Sequence, residues 1–301
     1  MRRRAWLIET RLRRTSVEIV TTLQELDQRI ATADALFERD YEAYAAALRS
    51  FEFRSSIKLP QSPESDAYRE AVMATYRFVS GRDSYLPLVN ERSDLDVAAA
   101  TALPYPYGTR NATTVGDQLM AIGFLIRAAA IKPAARVLEF GPGWGNTTLA
   151  LAQLGAQVTA VDISREFLEV IANRADQLGV TIECVHCDML DYASDTRFDT
   201  VVFFESFHHC PTPLALLDRL DDLVAPDGSV VFAGEPITDT FAVPWGLRLD
   251  GLSAYSIRKY GWMELGFSTR FFTAALRRRG WTIEEHDSWD VAWNRVLIAR
   301  R

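Results

Sequence analysis

The sequence predicts an α/β fold: a mostly parallel β-sheet wrapped by helices, closed by an antiparallel pair and preceded by a helical N-terminal region. Three observations predict it. Arg136–Ser164 reads as strand, glycine turn, helix, strand and acidic residue. After it, β-branched runs alternate with amphipathic runs as far as Ala233. Trp281–Glu285 and Ala292–Ala299 then read as a closing pair of strands.

In chain order, the start is a basic stretch, MRRRAWLIETRLRR, whose apolar run is only Ala5–Ile8. That is too short for a signal core, and a membrane span needs about 20 apolar residues. It reads as a frayed helix start or a basic arm. Residues 17–54 read as helix, because Ile19, Leu23, Leu26, Ile30, Ala33 and Phe37 recur at alternating steps of four and three, and Tyr41, Tyr44 and Leu48 extend the stripe. Such a stripe packs on its own domain or forms a dimer seam, which leaves monomer and homodimer open. Ser55–Ser65, with Pro60 and Pro63, reads as a loop, and Asp66–Ser80 as a helix stopped by Gly81. Ser84–Asn111 is loop-rich, and its Tyr105–Thr109 stretch is a linker or a flap over the next domain. Gly116–Ile131 reads as a helix that Pro133 ends.

The stretch Arg136–Ser164 organises the rest. Val137-Leu138 is a short β run ending in Glu139, followed by Gly141, Gly143 and Gly145. A strand that reverses into a helix within a few residues needs positive φ, and a ligand lying on bare backbone needs the absence of Cβ; glycine meets both demands. Asn146, Thr147 or Thr148 can cap the helix that follows. Val158–Val161 ends at Asp162, 19 residues after Gly143, where a carboxylate can accept both hydrogen bonds of a ribose diol.

Arg165–Leu178 reads as an amphipathic helix ended by Gly179, and Thr181–Val185 as a strand delivering Asp188-Met189. Thr200–Phe204 lacks polar alternation, as a central strand buried on both faces does. It ends at Glu205-Ser206-Phe207-His208-His209, where parallel sheets do chemistry. Leu214–Val224 reads as helix, Pro226-Asp227-Gly228 as a turn and Ser229–Ala233 as a strand. Gly234–Phe267 is a long irregular connection, of a length that is usually functional, and reads as a substrate lid with short helices. Thr269–Arg279 reads as the last helix.

The pattern Glu139-x-Gly141-x-Gly143-x-Gly145 resembles motif I of the class I S-adenosylmethionine-dependent methyltransferases, over roughly residues 115 to 301. The resemblance implies a Rossmann-like seven-stranded sheet, mostly parallel with the last strand antiparallel. It divides the chain into a helical cap for substrate binding or oligomerisation, residues 1–110, and a methyltransferase domain, residues 111–301. It implies S-adenosylmethionine as cofactor, held by Glu139, Gly141, Gly143, Gly145, Asn146, Asp162, Ile163, Asp188, Met189 and Glu205.

A sulfonium methyl is already activated, so the protein has to align a nucleophile, exclude water and, for an alcohol, remove a proton. His208 and His209, two of only four histidines, are the candidate general bases, with Glu205 beside them. Glu205-x-x-His208-His209 is similar to the E-x-x-E-H of ubiquinone-pathway and small-RNA 2′-hydroxyl methyltransferases, where two glutamates and a histidine bind a divalent metal. His208 replaces the second glutamate here, so the expectation is no metal, with Glu205, His208 and His209 as the alternative set. Glu235, Trp245, Arg248, Arg258 and Tyr260 are the candidate acceptor contacts.

The ESFHHC, PWGLR and GW-x-ELGF stretches resemble bacterial methyltransferases associated with surface polysaccharide synthesis, which implies a sugar or glycan hydroxyl as acceptor. The alternative is a small aromatic or quinone-type hydroxyl; a reading from another class is a non-catalytic binding protein that keeps the cofactor. The chain lacks the Asn/Asp-Pro-Pro-Tyr motif of nucleic-acid amino methyltransferases. Net charge is −7, and the charges of residues 1–110 balance, so the excess of acid falls on the second part and argues against a nucleic-acid partner. Three cysteines, an odd and small number, point to a reducing cytoplasm. Cys184 and Cys187 form a C-x-x-C on a predicted strand, where residues three apart face opposite sides, so redox or zinc chemistry is not expected of them.

Overall fold

The structure is a computed structural model that describes residues 17–37, 39–92, 95–288 and 295–301. The basic N-terminal stretch lies outside the described residues. The chain divides into two compact units: residues 1–56 with 249–255, and residues 57–248 with 256–301.

In the first unit the long helix expected over residues 17–54 is two helices, Leu23–Phe37 and Tyr41–Arg49, flanked by short parallel strands Glu18–Val20 and Phe51–Phe53. The break comes at Asp40, whose side chain accepts from Ala43 N and caps the second helix. Leu26, Ile30 and Ala33 of the predicted stripe are buried, while Phe37 is exposed and packs edge-on against Tyr44. Phe51 and Phe53 alternate inward around exposed Glu52, the period of a strand rather than a helix.

The second unit is built on seven strands: β1 (Arg136–Phe140), β2 (Gln157–Asp162), β3 (Ile182–His186), β4 (Phe198–Phe204), β5 (Val224–Ala233), β6 (Thr282–Asp287) and β7 (Arg295–Arg300). Their order is β6-β7-β5-β4-β1-β2-β3. The pairs among β1 to β5 are parallel, and β7 runs antiparallel to both β5 and β6. This is the predicted Rossmann-like sheet with its last strand reversed. β1 and β4 occupy its centre, and Val137, Leu138, Val201, Val202 and Phe203 have no measurable exposure, which explains their lack of polar alternation. Helices α1 (Ala112–Ala129), α2 (Asn146–Gln153), α3 (Arg165–Leu178), α4 (Pro213–Leu223) and α5 (Thr269–Arg278) accompany the strands. Side chains from α1, β1, α2, β2, β5 and β7 share one apolar core.

Several elements differ from expectation. The turn at Pro226-Asp227-Gly228 is absorbed into β5, which pairs with β4 through an irregular step between Phe198 and Thr200. Ser84–Asn111 contains helices Pro87–Asn90 and Val97–Ala102. Gly234–Phe267 contains, besides a helix Gly251–Lys259, three short strands, Ile237–Thr238, Trp245–Leu247 and Leu265–Ser268, that form a sheet of their own. Helix Asp66–Ser80 matches expectation, capped by Ser65 and ended by left-handed Gly81. Among the described residues no helix is long and apolar enough to cross a membrane.

Candidate functional site

The carboxyl ends of β1, β2 and β4 and the turn after β3 open onto one cavity. The three glycines after β1 all have positive φ, but for different reasons. A Cβ on Gly141 would stand 2.7 Å from Ser206 Cβ, and one on Gly145 2.4 Å from Ile171 Cγ1, so these two are glycines because of packing. A Cβ on Gly143 would meet nothing within 4 Å. Gly143 lines the cavity and leaves room for a ligand against its backbone.

Asp162 faces this glycine turn. Its Oδ2 accepts from Gly143 N at 3.2 Å and its Oδ1 from Ser164 N at 2.8 Å. Burial raises its carboxyl to about 6, against the lowering effect of these hydrogen bonds. Ile163, Asp188, Met189 and Glu205, also expected cofactor contacts, line the same cavity. Cys187 lines it too, and all three cysteines are free. Three predicted cofactor residues lie outside the lining, Gly145 with its packing role among them. Glu139 is buried behind the wall, where it accepts from Thr148 Oγ1 at 2.6 Å; burial raises it to about 7. Asn146 donates through Nδ2 to Tyr105 O and Gln118 Oε1, joining α2 to α1 and to the segment before it. The first helical turn of α2 lacks the expected side-chain cap and starts from left-handed Gly145.

The far end of the cavity is walled by His209, Cys210, Pro211, Tyr85, Glu91 and Trp262. Glu205 enters it from a left-handed backbone, φ 52°. Burial and then the neighbouring Glu235 and Glu264 raise its carboxyl to about 8. Cys210 is pushed up to about 12 by burial, an inert thiol. Burial works to lower His209, but Glu91 outweighs it, with Glu264 and Glu235 adding to the effect, so the imidazole is raised to about 9. Its Nδ1 lies 3.4 Å from Glu91 Oε2, an ion pair without a well-aligned hydrogen bond. Glu91 also accepts from Tyr85 Oη at 2.7 Å and from Met263 N at 2.5 Å. One carboxylate thus ties together three distant segments.

Behind His209, the Nδ1 of His208 is 2.8 Å from Glu235 Oε2. Glu235 also accepts from the backbone N–H groups of Ser206, Phe207 and His208. Burial pushes this carboxyl up, yet His208 and these donors outweigh it and hold it below the usual range. Glu235 therefore shapes the turn carrying the histidines. Of the other predicted acceptor contacts, Trp245 is buried, with its Nε1 donating to Pro63 O, and Arg258 donates to Val79 O. Arg248 Nη1 lies 3.8 Å from Glu264 Oε2. Tyr260 is 41% exposed and stacks on Trp262, which lines the cavity.

Sequence reasoning missed Tyr85, Glu91 and Glu264. A carboxylate inside the apolar run Trp262–Phe267 was the available signal for Glu264. The two-glutamate, one-histidine set of a hard-ion site is not what this turn offers. One ligand atom each from His208, His209 and Glu264 lie within 4.8 Å of one another instead.

Residues 137–228 match the family described as a methyltransferase domain. The chain carries a methyltransferase domain. It is 34% identical over 107 residues to the ubiquinone biosynthesis O-methyltransferase of Xanthomonas campestris pv. campestris (strain B100), covering 35% of this chain and 45% of that protein. It is 31% identical over 104 residues to the protein of the same name from Actinobacillus pleuropneumoniae serotype 7 (strain AP76), covering 33% and 44%. The chain thus spans less than half the length of these relatives. The 1,6-didemethyltoxoflavin-N1-methyltransferase of Burkholderia thailandensis, solved with its substrate and S-adenosylhomocysteine, shares the fold. Its TM-score is 0.50 at 21% identity, covering 73% of this chain and 93% of that one.

Proposed function

We propose that this protein is an S-adenosylmethionine-dependent O-methyltransferase whose acceptor is a hydroxyl on a small aromatic or quinone-type ring. The observation that carries the reading is the single cavity running from bare Gly143 and Asp162 to His209 and Trp262. Asp162 accepts the ribose hydroxyls, Asp188 and Met189 border the base, and Gly141 and Gly143 underlie the amino-acid part. The cofactor supplies a methyl group on a positively charged sulfur. The chain's own residues position the acceptor against it and exclude water.

The acceptor end supports a flat ring. Tyr85, Pro87, Pro211 and Trp262 offer apolar faces there. The indole Nε1 of Trp262 is buried without a hydrogen-bond partner among the described residues, a donor that reaches an acceptor oxygen only as the ring turns toward the cavity. His209 borders the acceptor end, and a positive imidazole there favours a phenol that gives up its proton to solvent as it binds. The glycan acceptor implied by the short polysaccharide-type stretches finds no support among the relatives, whose name points to a quinone precursor.

Incubation with methyl-labelled S-adenosylmethionine and separate sets of catechols, phenols and sugars tests the proposal. Label in a catechol or phenol is expected. Label confined to a sugar, or failure to bind S-adenosylhomocysteine, would overturn it.

A further inference from the structure

The histidine pair carries more supporting structure than proton removal requires. His208 and His209 are adjacent on the single turn Phe207–His209, with ring centroids 4.2 Å apart. Each has a carboxylate at Nδ1: Glu235 for His208 at 2.8 Å and Glu91 for His209 at 3.4 Å. A carboxylate hydrogen-bonded at Nδ1 orients the His208 ring and leaves Nε2 for an ion, while Glu91 sets a negative charge beside the His209 ring. His208 Nε2 lies 3.8 Å from Glu264 Oε2. Two donors bonded to one ion at about 2.1 Å stand at most about 4.2 Å apart. Donors around a tetrahedral ion stand about 3.4 Å apart, so the three candidate atoms, now within 4.8 Å of one another, close by about 1.4 Å at most.

We propose that His208, His209 and Glu264 form a binding site for a borderline divalent transition ion, of the zinc or cobalt type, with Glu235 and Glu91 as the carboxylates that orient the two imidazoles. The donor set decides the class of ion. Magnesium takes oxygen ligands and keeps its water, whereas two imidazoles and one carboxylate suit zinc, cobalt or nickel. This departs from the oxygen-rich set implied by the resemblance to E-x-x-E-H. One of its glutamates is a histidine here, and the third ligand comes from Glu264, more than fifty residues further along the chain. The site has a cavity face, because His209 and Glu205 both line the cavity. A cation there also answers the concentration of carboxylates, Glu91, Glu205, Glu235 and Glu264, around the end of β4. A competing cation is Arg248, at 3.8 Å from Glu264 Oε2, and the ion has to share that carboxylate with it or displace it.

The test uses the full chain stripped with a chelator, then titrated calorimetrically with zinc, cobalt or magnesium chloride. One equivalent of zinc and of cobalt is expected to bind, with magnesium at least 100-fold weaker. Bound cobalt should give visible absorption and shift the ring-proton resonances of two histidines in the wild-type protein. His208→Ala and Glu264→Gln should each remove the stoichiometric zinc site, and Glu235→Gln should weaken it by about 10- to 100-fold. S-Adenosylhomocysteine affinity, measured on the same samples, reports whether each variant is folded and whether the methyltransferase reading stands independently. Absence of stoichiometric zinc binding, or a cobalt spectrum without histidine shifts, would overturn the proposal. So would zinc binding that survives both ligand substitutions, which would locate the ion elsewhere, for example at Cys184 and Cys187.

Discussion

The backbone N–H of Gly143 donates to Asp162 Oδ2 across 3.2 Å, so the glycine turn after β1 and the acid at the end of β2 hold each other in place. The same carboxylate is the one expected to receive a ribose diol. Loss of about two charge-assisted hydrogen bonds, at roughly 1.5–3 kcal/mol each, corresponds to about 100-fold or more in affinity. Asp162→Ala is therefore expected to weaken S-adenosylhomocysteine binding at least that much by calorimetry. An unchanged dissociation constant would remove Asp162 from the ribose.

The pH dependence follows from burial of the same group. Asp162 is raised from 3.8 to about 6, and Glu139 from 4.5 to about 7. Both are acids that hold their protons more tightly folded than unfolded. The stability they contribute is therefore full below about pH 4 and is lost as pH rises through about 6 and 7. Ligand binding has the opposite sign, because a ribose diol donating to Asp162 favours its carboxylate. Affinity for S-adenosylhomocysteine should rise between about pH 5 and pH 7, with proton release, and calorimetry in buffers of different ionisation enthalpy measures both. Asp162→Asn should flatten the profile. A flat wild-type profile would show that this carboxylate does not meet the ligand.

The glycines separate packing from binding. Gly145→Ala puts a methyl 2.4 Å from Ile171 Cγ1 at φ 74°, and left-handed strain with overpacking should cost about 2–4 kcal/mol of stability. Gly143→Ala meets open space, so strain of about 1–2 kcal/mol is the whole expected cost to folding. Its larger effect should be on S-adenosylhomocysteine affinity, since the methyl occupies the ligand's side of the turn. Urea denaturation paired with calorimetry distinguishes the two. Equal losses of stability would mean that the Gly143 turn is as tightly packed as Gly145.

The sheet and the glycine-turn end of the cavity were legible because their signals are local. A β run, three glycines at alternate positions and an acid at the next strand end lie within 30 residues, and each glycine marks a backbone conformation other residues resist. Glu139 belongs to the same pattern, yet its buried side chain serves Thr148 and α2 rather than the cavity. The acceptor half was less legible. Tyr85, Glu91 and Glu264 carry no periodicity, and the fold brings the first two to His209 from over a hundred residues before it and Glu264 from 55 residues after it. The N-terminal stripe misled because heptad-like spacing does not report Asp40, which ends one helix and caps the next.

Trp262 offers a direct test of the acceptor's chemistry. Its ring lines the cavity and is stacked from behind by Tyr260, with centroids 4.9 Å apart and planes inclined by 29°. Its buried Nε1 lacks a partner among the described residues. Those two properties can be removed separately. Trp262→Phe keeps an aromatic face but deletes the donor, and one hydrogen bond of about 1 kcal/mol corresponds to roughly a fivefold rise in KM for a phenolic acceptor. Trp262→Ala also deletes the face, adding about 0.5–1.5 kcal/mol, so KM should rise about tenfold or more. Affinity for S-adenosylhomocysteine should stay within about twofold in both, because the ring lies at the acceptor end. If both variants keep the wild-type KM for every phenol that is methylated, the acceptor does not lie against Trp262; if affinity for the homocysteine falls instead, the indole belongs to the cofactor's half of the cavity.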